Sequence, residues 1–317
     1  MLKPSVIARC EAGPKLSAKL RSWQADGLAV HVISESADEA FEALLPSAFA
    51  ILHVLKPIGA QVFAKAPQLR LVQKIGVGVN TIDLEAARAR GVAVCNMPGT
   101  NTAAVAEMAL ALILAALRGL PQLDRAARSG RGWALPPGSE AAFGEIEGRT
   151  VGLVGAGAVP RRLAPTLRAM GADVLYWSRS ERPEMPARFT PWHELWQRAD
   201  ILSLHLPLTT ETQGLLDREA LARLKPGAIL VNTARGALVD EAALIEALDS
   251  KRVAVAALDV LGVEPPGDGH PLLARDDVIV TPHIAWLTAE TWDRSLGIAR
   301  ENVLRTLRSE ALLHRVV

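Results

Sequence analysis

Short apolar runs of strand length alternate with stretches of helical spacing along the whole chain. Residues 5–8, 28–32 and 48–52 read as strands, with helical spacing over 14–24 and 37–45. The strand at 69–75 runs into two glycines before a helix over 83–90. Residues 92–95 read as a strand, and the turn at 96–101, with Pro98 and Gly99, reads as a domain boundary. A long apolar helix at 101–120, packed between domains or subunits, comes next. The glycine- and proline-rich stretch 129–147, with Trp133 inside it, reads as an irregular loop. Strands at 151–154, 172–177, 200–205, 228–233, 253–259 and 278–282 follow, with helices such as 161–170, 217–223 and 241–248 between them. This alternation predicts an α/β fold of parallel, doubly wound sheets. Pro165 removes one hydrogen bond from its helix and predicts a kink there.

Two glycine turns carry the first chemistry. In TVGLVGAGAVP, residues 150–160, an uncharged strand meets Gly155, which permits a tight turn, and Gly157, whose missing side chain lets a pyrophosphate approach the backbone. Ala158 and Val159 open the next helix and offer free N–H groups. The turn reads either as the front of a dinucleotide-binding βαβ unit or as an ordinary strand-to-helix connection. The third glycine of the usual spacing is replaced by Pro160; Arg161 and Arg162 either offer charge to phosphates or face solvent. In GVGVNTID, residues 76–83, the amides of Val77 and Gly78 form a plain turn or a cradle for a small carboxylate.

Composition narrows the class. The chain has 317 residues, enough for about two domains. Thirty-five basic and 34 acidic residues leave a net charge of +1, so no charge excess points to nucleic acid or an anionic membrane. Cys10 and Cys95 have no metal or redox spacing, no metal ligand set stands out, and the N-terminus has no signal-like apolar run. The expectation is a cytoplasmic protein without membrane partners.

The strand at 172–177 ends in Ser178-Arg179-Ser180. An acidic residue here would hold a ribose 2′-OH. One guanidinium and two hydroxyls suit a 2′-phosphate instead, unless Arg179 is only a solvated surface residue. The four later strands end at Pro207, Arg235, Asp259 and His283, and ligands in open α/β sheets bind outside such strand ends.

Together with VAEMALAL at 105–112, ADILSLHLPLT at 199–209, KPGAILVNTARG at 225–236, LDVLGVEP at 258–265 and TPHIA at 281–285, these stretches resemble the D-isomer-specific 2-hydroxyacid dehydrogenases over essentially the whole chain. The resemblance implies a flavodoxin-like substrate-binding domain (1–98 with 287–317) and a Rossmann dinucleotide-binding domain (99–286), closing about hinges near Pro98 and Trp286. It assigns catalysis to Arg235, Glu264 and His283. Arg235 clamps the substrate; His283 protonates the ketone oxygen, and Glu264 favours its imidazolium form. Val77 and Gly78 add donors for the substrate carboxylate. Cofactor contacts fall to Gly155, Gly157, Ala158, Val159, Ser178, Arg179, Ser180, Leu206, Pro207, Thr212, Thr233, Ala234 and Asp259. His31, His53, His193, His270 and His314 read as surface or turn residues, and His205 carries no assigned chemistry.

Within the family, the Ser178–Ser180 tip and Ala285-Trp286 resemble NADPH-using glyoxylate and hydroxypyruvate reductases. Glu264 argues against the formate dehydrogenase relatives, and an end at Val317 implies no C-terminal regulatory domain. The expectation is a homodimeric reductase of small 2-keto acids that prefers NADP, with NAD possible. The alternatives are an NAD-dependent enzyme for another 2-hydroxy acid, or a non-catalytic, corepressor-like dinucleotide sensor.

Overall fold

The computed structural model describes residues 3–133 and 143–317; the middle of the loop expected at 129–147 lies outside them. The chain divides into two compact units, residues 1–101 with 288–317, and residues 102–287.

The first unit begins with β1 (Ser5–Arg9), α1 (Pro14–Arg21), β2 (Ala29–Ile33), α2 (Asp38–Leu44) and β3 (Ala48–His53). It continues with α3 (Ala60–Lys65), β4 (Leu71–Lys74), α4 (Leu84–Ala89) and β5 (Ala93–Cys95). The sheet is parallel in the order β2-β1-β3-β4-β5, a flavodoxin-like arrangement. β1 is buried throughout, and Ile7, Ile51, Val72 and Val94 share one core with Phe41, Leu45 and Phe63. Uncharged strands buried on both faces are what a covered parallel sheet requires. The first helix is shorter than its pattern. After Arg21 the chain tightens into a 3₁₀ turn over Ser22–Asp26, buries Trp23, and stops at Gly27 with φ +81°.

The second unit opens with α5 (Thr102–Arg118) and α6 (Leu120–Arg128), where one helix over 101–120 was expected. Gly119 takes a left-handed φ of +57° and Pro121 sits in the first turn of α6, so the two helices bend by 61°. α5 belongs to the core of this unit: Ala106, Ala109, Leu112, Ile113 and Ala116 are buried there beside Val151, Leu153 and Leu163. Among the described residues no single helix is long and apolar enough to cross a membrane.

Then come β6 (Thr150–Val154), α7 (Ala158–Ala169), β7 (Asp173–Trp177), β8 (Arg188–Phe189), α8 (Trp192–Arg198) and β9 (Ile201–Leu204). α9 (Arg218–Ala222), β10 (Ala228–Asn232), α10 (Glu241–Asp249), β11 (Val253–Leu258) and β12 (Val278–Val280) complete the unit. The parallel order β12-β11-β10-β9-β6-β7-β8 is the Rossmann order extended by one strand. Trp177, Trp192 and Trp196 pack in sequence, tilted and then edge to face, with ring centroids 4.3 and 4.0 Å apart, where β7 meets α8. α7 runs unbroken through Pro165, whose exposed position puts the missing hydrogen bond on the solvent side.

The chain returns to the first unit with α11 (Ala289–Arg308). Thr288 caps it, accepting from the Thr291 amide at 3.1 Å. Its fully buried Asn302 donates to Gln73 Oε1 at 2.6 Å and to Leu313 O at 3.0 Å, which ties the helix to β4 and to the C-terminal segment.

Candidate active site

The two glycines of the 155–157 turn are there for different reasons. Gly155 has φ +120°, and a Cβ on it would lie 2.6 Å from the His205 carbonyl oxygen. The turn therefore needs glycine to fold. Gly157 has ordinary extended dihedrals as N-cap of α7, and a Cβ there would meet no protein atom within 4 Å. The protein's own packing does not ask for glycine at 157; close approach of a ligand to the backbone does. Gly157 and Ala158 are exposed, and Val159 is half-buried. Pro160 is buried in the first turn, so its ring fills the space beneath the helix and one N–H is lost. Arg161 donates from Nε to Gly157 O at 3.4 Å and pairs with Glu184 at 3.5 Å, and Arg162 lies 4.0 Å from Glu107, both side chains being exposed.

At the end of β7, Ser178 Oγ donates to Ser180 O at 2.6 Å and closes the tip, leaving Arg179 and Ser180 exposed. Hydrogen bonds from Thr209 and Thr210 and the charge of Arg179 hold the Glu211 carboxyl below its usual range, which puts a carboxylate in the field of that arginine. Beyond β9, Leu206 packs on the core, and Thr212 Oγ1 donates to Pro207 O at 2.7 Å while accepting from Thr209 N at 2.8 Å. Thr212 staples this loop. His205 donates its amide to Val154 and its ring meets Ser203 Oγ at 2.9 Å; burial lowers its pKa to about 4.

The end of β10 is braced by Asn232. Its Nδ2 donates to Arg235 O at 2.9 Å and its Oδ1 accepts from Ala234 N at 3.0 Å. Thr233 Oγ1 is buried with no hydrogen-bond partner. An orphaned hydroxyl at a strand end, with the open approach at Gly157, fits a dinucleotide lying across these ends. Arg235 Nη1 donates to Ala234 O at 2.6 Å; burial works against its charge and the Glu264 carboxylate supports it. A Cβ on the next residue, Gly236, would sit 2.0 Å from the Leu261 carbonyl carbon, so the Arg235 turn and the Glu264 segment pack backbone against backbone.

Asp259, 1% exposed, holds the segment after β12. Its carboxylate accepts from Thr281 Oγ1 at 2.6 Å, Ile284 N at 3.0 Å and Ala285 N at 2.9 Å, and its carbonyl from His283 N at 2.8 Å. Burial raises its carboxyl above the ordinary value against these bonds. His283 is thereby kept in a left-handed conformation, φ +55°, and Trp286 Nε1 donates to its carbonyl at 3.1 Å. Its ring Nδ1 lies 2.5 Å from Glu264 Oε2, while Glu264 Oε1 accepts from Leu261 N at 2.9 Å. Burial acts to raise the Glu264 carboxyl, but the His283 bond and charge, the Leu261 amide and Arg235 outweigh it and hold it below the usual range. The other ring nitrogen, Nε2, has no partner among the described residues. A histidine oriented at one nitrogen and open at the other can hand a proton to a ligand oxygen.

The chain belongs to the D-isomer specific 2-hydroxyacid dehydrogenases. The model of that family's NAD binding domain matches residues 110–285. The chain is 42% identical to a D-3-phosphoglycerate dehydrogenase of Mycobacterium bovis over 84% of its own length and 51% of the relative's, so it spans about half of that protein. It is 41% identical to a glyoxylate reductase of Aeropyrum pernix, over 78% of this chain and 76% of that one. Among solved structures, the TT0316 protein from Thermus thermophilus superposes with a TM-score of 0.89 at 37% identity, covering 99% of this chain and 100% of that one.

Arg235, Glu264 and His283, which the family resemblance joins, thus lie together in the second unit. In the first unit the Gly76–Gly78 turn is pinned by Asn96 Nδ2 to Val77 O at 2.9 Å and by Met97 N to Gly76 O at 2.8 Å. The amides of Val77 and Gly78 have no partner among the described residues. One of the histidines read as surface or turn residues needs correction. His53 is 2% exposed at the end of β3, and burial, with the charges of Lys74 and Arg9, lowers its pKa to about 3. His270 does lie in a turn, its amide donating to Gly267 O at 3.3 Å, with its side chain largely covered and 3.3 Å from Glu241. Asn232 lies inside the 225–236 motif but was given no role there, and Glu241 carried no motif signal, because its partners Gly262 and His270 are brought to it by the fold.

Proposed function

We propose that this 2-hydroxyacid dehydrogenase is an NAD(P)-dependent reductase of a small 2-keto acid, of the glyoxylate or hydroxypyruvate kind, giving a D-2-hydroxy acid where the product is chiral. The observation that carries the reading is the 2.5 Å contact of His283 Nδ1 with Glu264, which leaves Nε2 to face a substrate. Arg235 would hold the substrate carboxylate and polarise the keto oxygen; its planar fork suits both. His283 would deliver the proton from Nε2 as the keto carbon is reduced, with Glu264 stabilising the imidazolium before transfer.

A nicotinamide dinucleotide supplies the hydride when bound. The residues proposed to hold it are Gly155, Gly157, Ala158 and Val159 at its phosphates, Leu206, Pro207 and Thr212 around adenine and ribose, and Thr233, Ala234 and Asp259 near the nicotinamide. The exposed Arg179 between two serines supports preference for NADPH, opposed in part by Glu211. A cytoplasmic homodimer completes the proposal, on family likeness alone.

The test is oxidation of NADPH and of NADH, followed by absorbance, with glyoxylate, hydroxypyruvate, pyruvate and a bulkier 2-keto acid. Rapid turnover of a small keto acid with NADPH is expected. Tight dinucleotide binding without turnover of any of the four would favour the sensor reading instead.

A further inference from the structure

Between β11 and the 3₁₀ turn at Pro271–Ala274, residues 259–270 form no helix or strand, and Glu264 sits inside that irregular segment. Its carboxylate must nevertheless be held within a few tenths of an ångström of His283. Chain connectivity alone does not do this. Part of the constraint is local, through Leu261 N to Glu264 Oε1. The rest comes from Glu241, the first residue of α10. Its Oε1 accepts from Gly262 N at 2.8 Å, near the start of the segment, and its Oε2 lies 3.3 Å from His270 Nε2, at the end. One carboxylate thus clasps both ends of the segment that bears Glu264.

The surroundings are built for this clasp. A Cβ on Gly262 would stand 3.3 Å from the Glu241 carboxyl carbon, so the absence of a side chain lets the carboxylate approach closely. Gly236, five residues before Glu241, packs against the Leu261 backbone and fixes the same strand end from below. Asp240 caps α10, accepting from Ala242 N at 3.0 Å and Ala243 N at 3.1 Å, so the helix that presents Glu241 is anchored independently. Glu241 lies in the first turn, where the helix dipole favours a negative charge.

We propose that Glu241 is a positioning residue for proton transfer: it sets the Glu264 carboxylate against His283 by closing the 261–270 segment at both ends, with His270 as its second anchor. The inference rests on the proposed role of the His283–Glu264 pair. The Glu241 carboxylate is engaged by Gly262 and His270, so on this proposal its removal acts on the chemical step rather than on binding.

The experiment is a double-mutant cycle read by kcat for keto-acid reduction, with KM and dinucleotide affinity measured in parallel. Glu241→Ala is expected to lower kcat about tenfold to a hundredfold, because a small displacement of a proton-transfer pair is costly. KM and dinucleotide affinity should stay within about twofold. Glu241→Gln, which keeps an acceptor for Gly262 N, should restore most of kcat. In a Glu264→Gln background Glu241→Ala should cost nothing further, since the carboxylate it positions is gone. His270→Ala opens only one end; it should lose about threefold with the same non-additivity, and it serves if Glu241→Ala does not fold. Unchanged kcat in the folded variants, or losses that add to that of Glu264→Gln, would overturn the inference. Full turnover by Glu264→Gln itself would instead overturn the reading of the His283–Glu264 pair.

Discussion

Two histidine–glutamate pairs share one stretch of the second unit, and they differ in what the second ring nitrogen meets. His283 is 2.5 Å from Glu264 through Nδ1, and its Nε2 has no partner among the described residues. His270 is 3.3 Å from Glu241 through Nε2, and its Nδ1 is buried without a partner. On the proposed reading, the same two residue types give a proton donor in one place and a brace in the other. The pairs differ in length and in the ring nitrogen used. Access to the free nitrogen separates them further, together with the backbone: Asp259 fixes His283 through the segment around it, whereas His270 simply precedes the 3₁₀ turn at Pro271.

Replacing each carboxylate by its amide probes that contrast most strongly. Glu264→Gln should lower kcat for keto-acid reduction about a hundredfold, within the range for loss of acid–base support, whereas Glu241→Gln should stay within about threefold of the parent. Equal losses would erase the distinction. Gly236→Ala tests the backbone contact beneath both pairs. A Cβ 2.0 Å from the Leu261 carbonyl carbon forces the main chain apart, and a loss of about 3 kcal/mol in urea unfolding is expected. A variant as stable as the parent would mean the contact can relax freely.

Arg179→Gln sharpens the cofactor side. It should raise KM for NADPH about tenfold and leave NADH nearly unchanged, the size of one charge-assisted bond to a 2′-phosphate. An equal rise for both cofactors would make Arg179 a general phosphate contact. The smallest effect concerns a third histidine, His53, which has no carboxylate partner. Its pKa is lowered from 6.5 to about 3 by burial, then by Lys74 and Arg9. Its contribution to stability is therefore complete above pH 6.5 and is lost as pH falls toward 3, because the unfolded chain takes up a proton that the native ring refuses. His53→Gln should flatten the acid limb of stability against pH by about 1 kcal/mol per unit, seen in denaturant midpoints at pH 5 and 7.

How far the sequence could be read follows from the same physics. The apolar runs within β1, β3, β6, β9 and β10 are legible because strands covered on both faces carry little polar signal to confuse them. α3 and α8 are short, α8 mixes two tryptophans with charges, and β8 is an edge strand of Arg188 and Phe189 alone. Such elements are set by what they pack against. α11 needed knowledge of its partner too, since its most buried polar residue, Asn302, is meaningful only beside Gln73 and Leu313. In the site, Arg235, Glu264 and His283 were legible through family motifs. The role of Glu241 and the three-way bonding of Asp259 were not, because each joins segments far apart in sequence, and the bracing of Ala234 and Arg235 by Asn232 shows only in the folded turn. His53 misled for the same reason: nothing local says that β4 will cover the end of β3.

The central claim is that His283 delivers the proton. Its most direct test is steady-state reduction of the best 2-keto acid by His283→Ala, with dinucleotide binding followed by fluorescence on the same preparation. A fall in kcat of about a thousandfold or more with dinucleotide affinity retained is expected. Turnover within about tenfold of the parent would contradict it and would move the proton donor elsewhere.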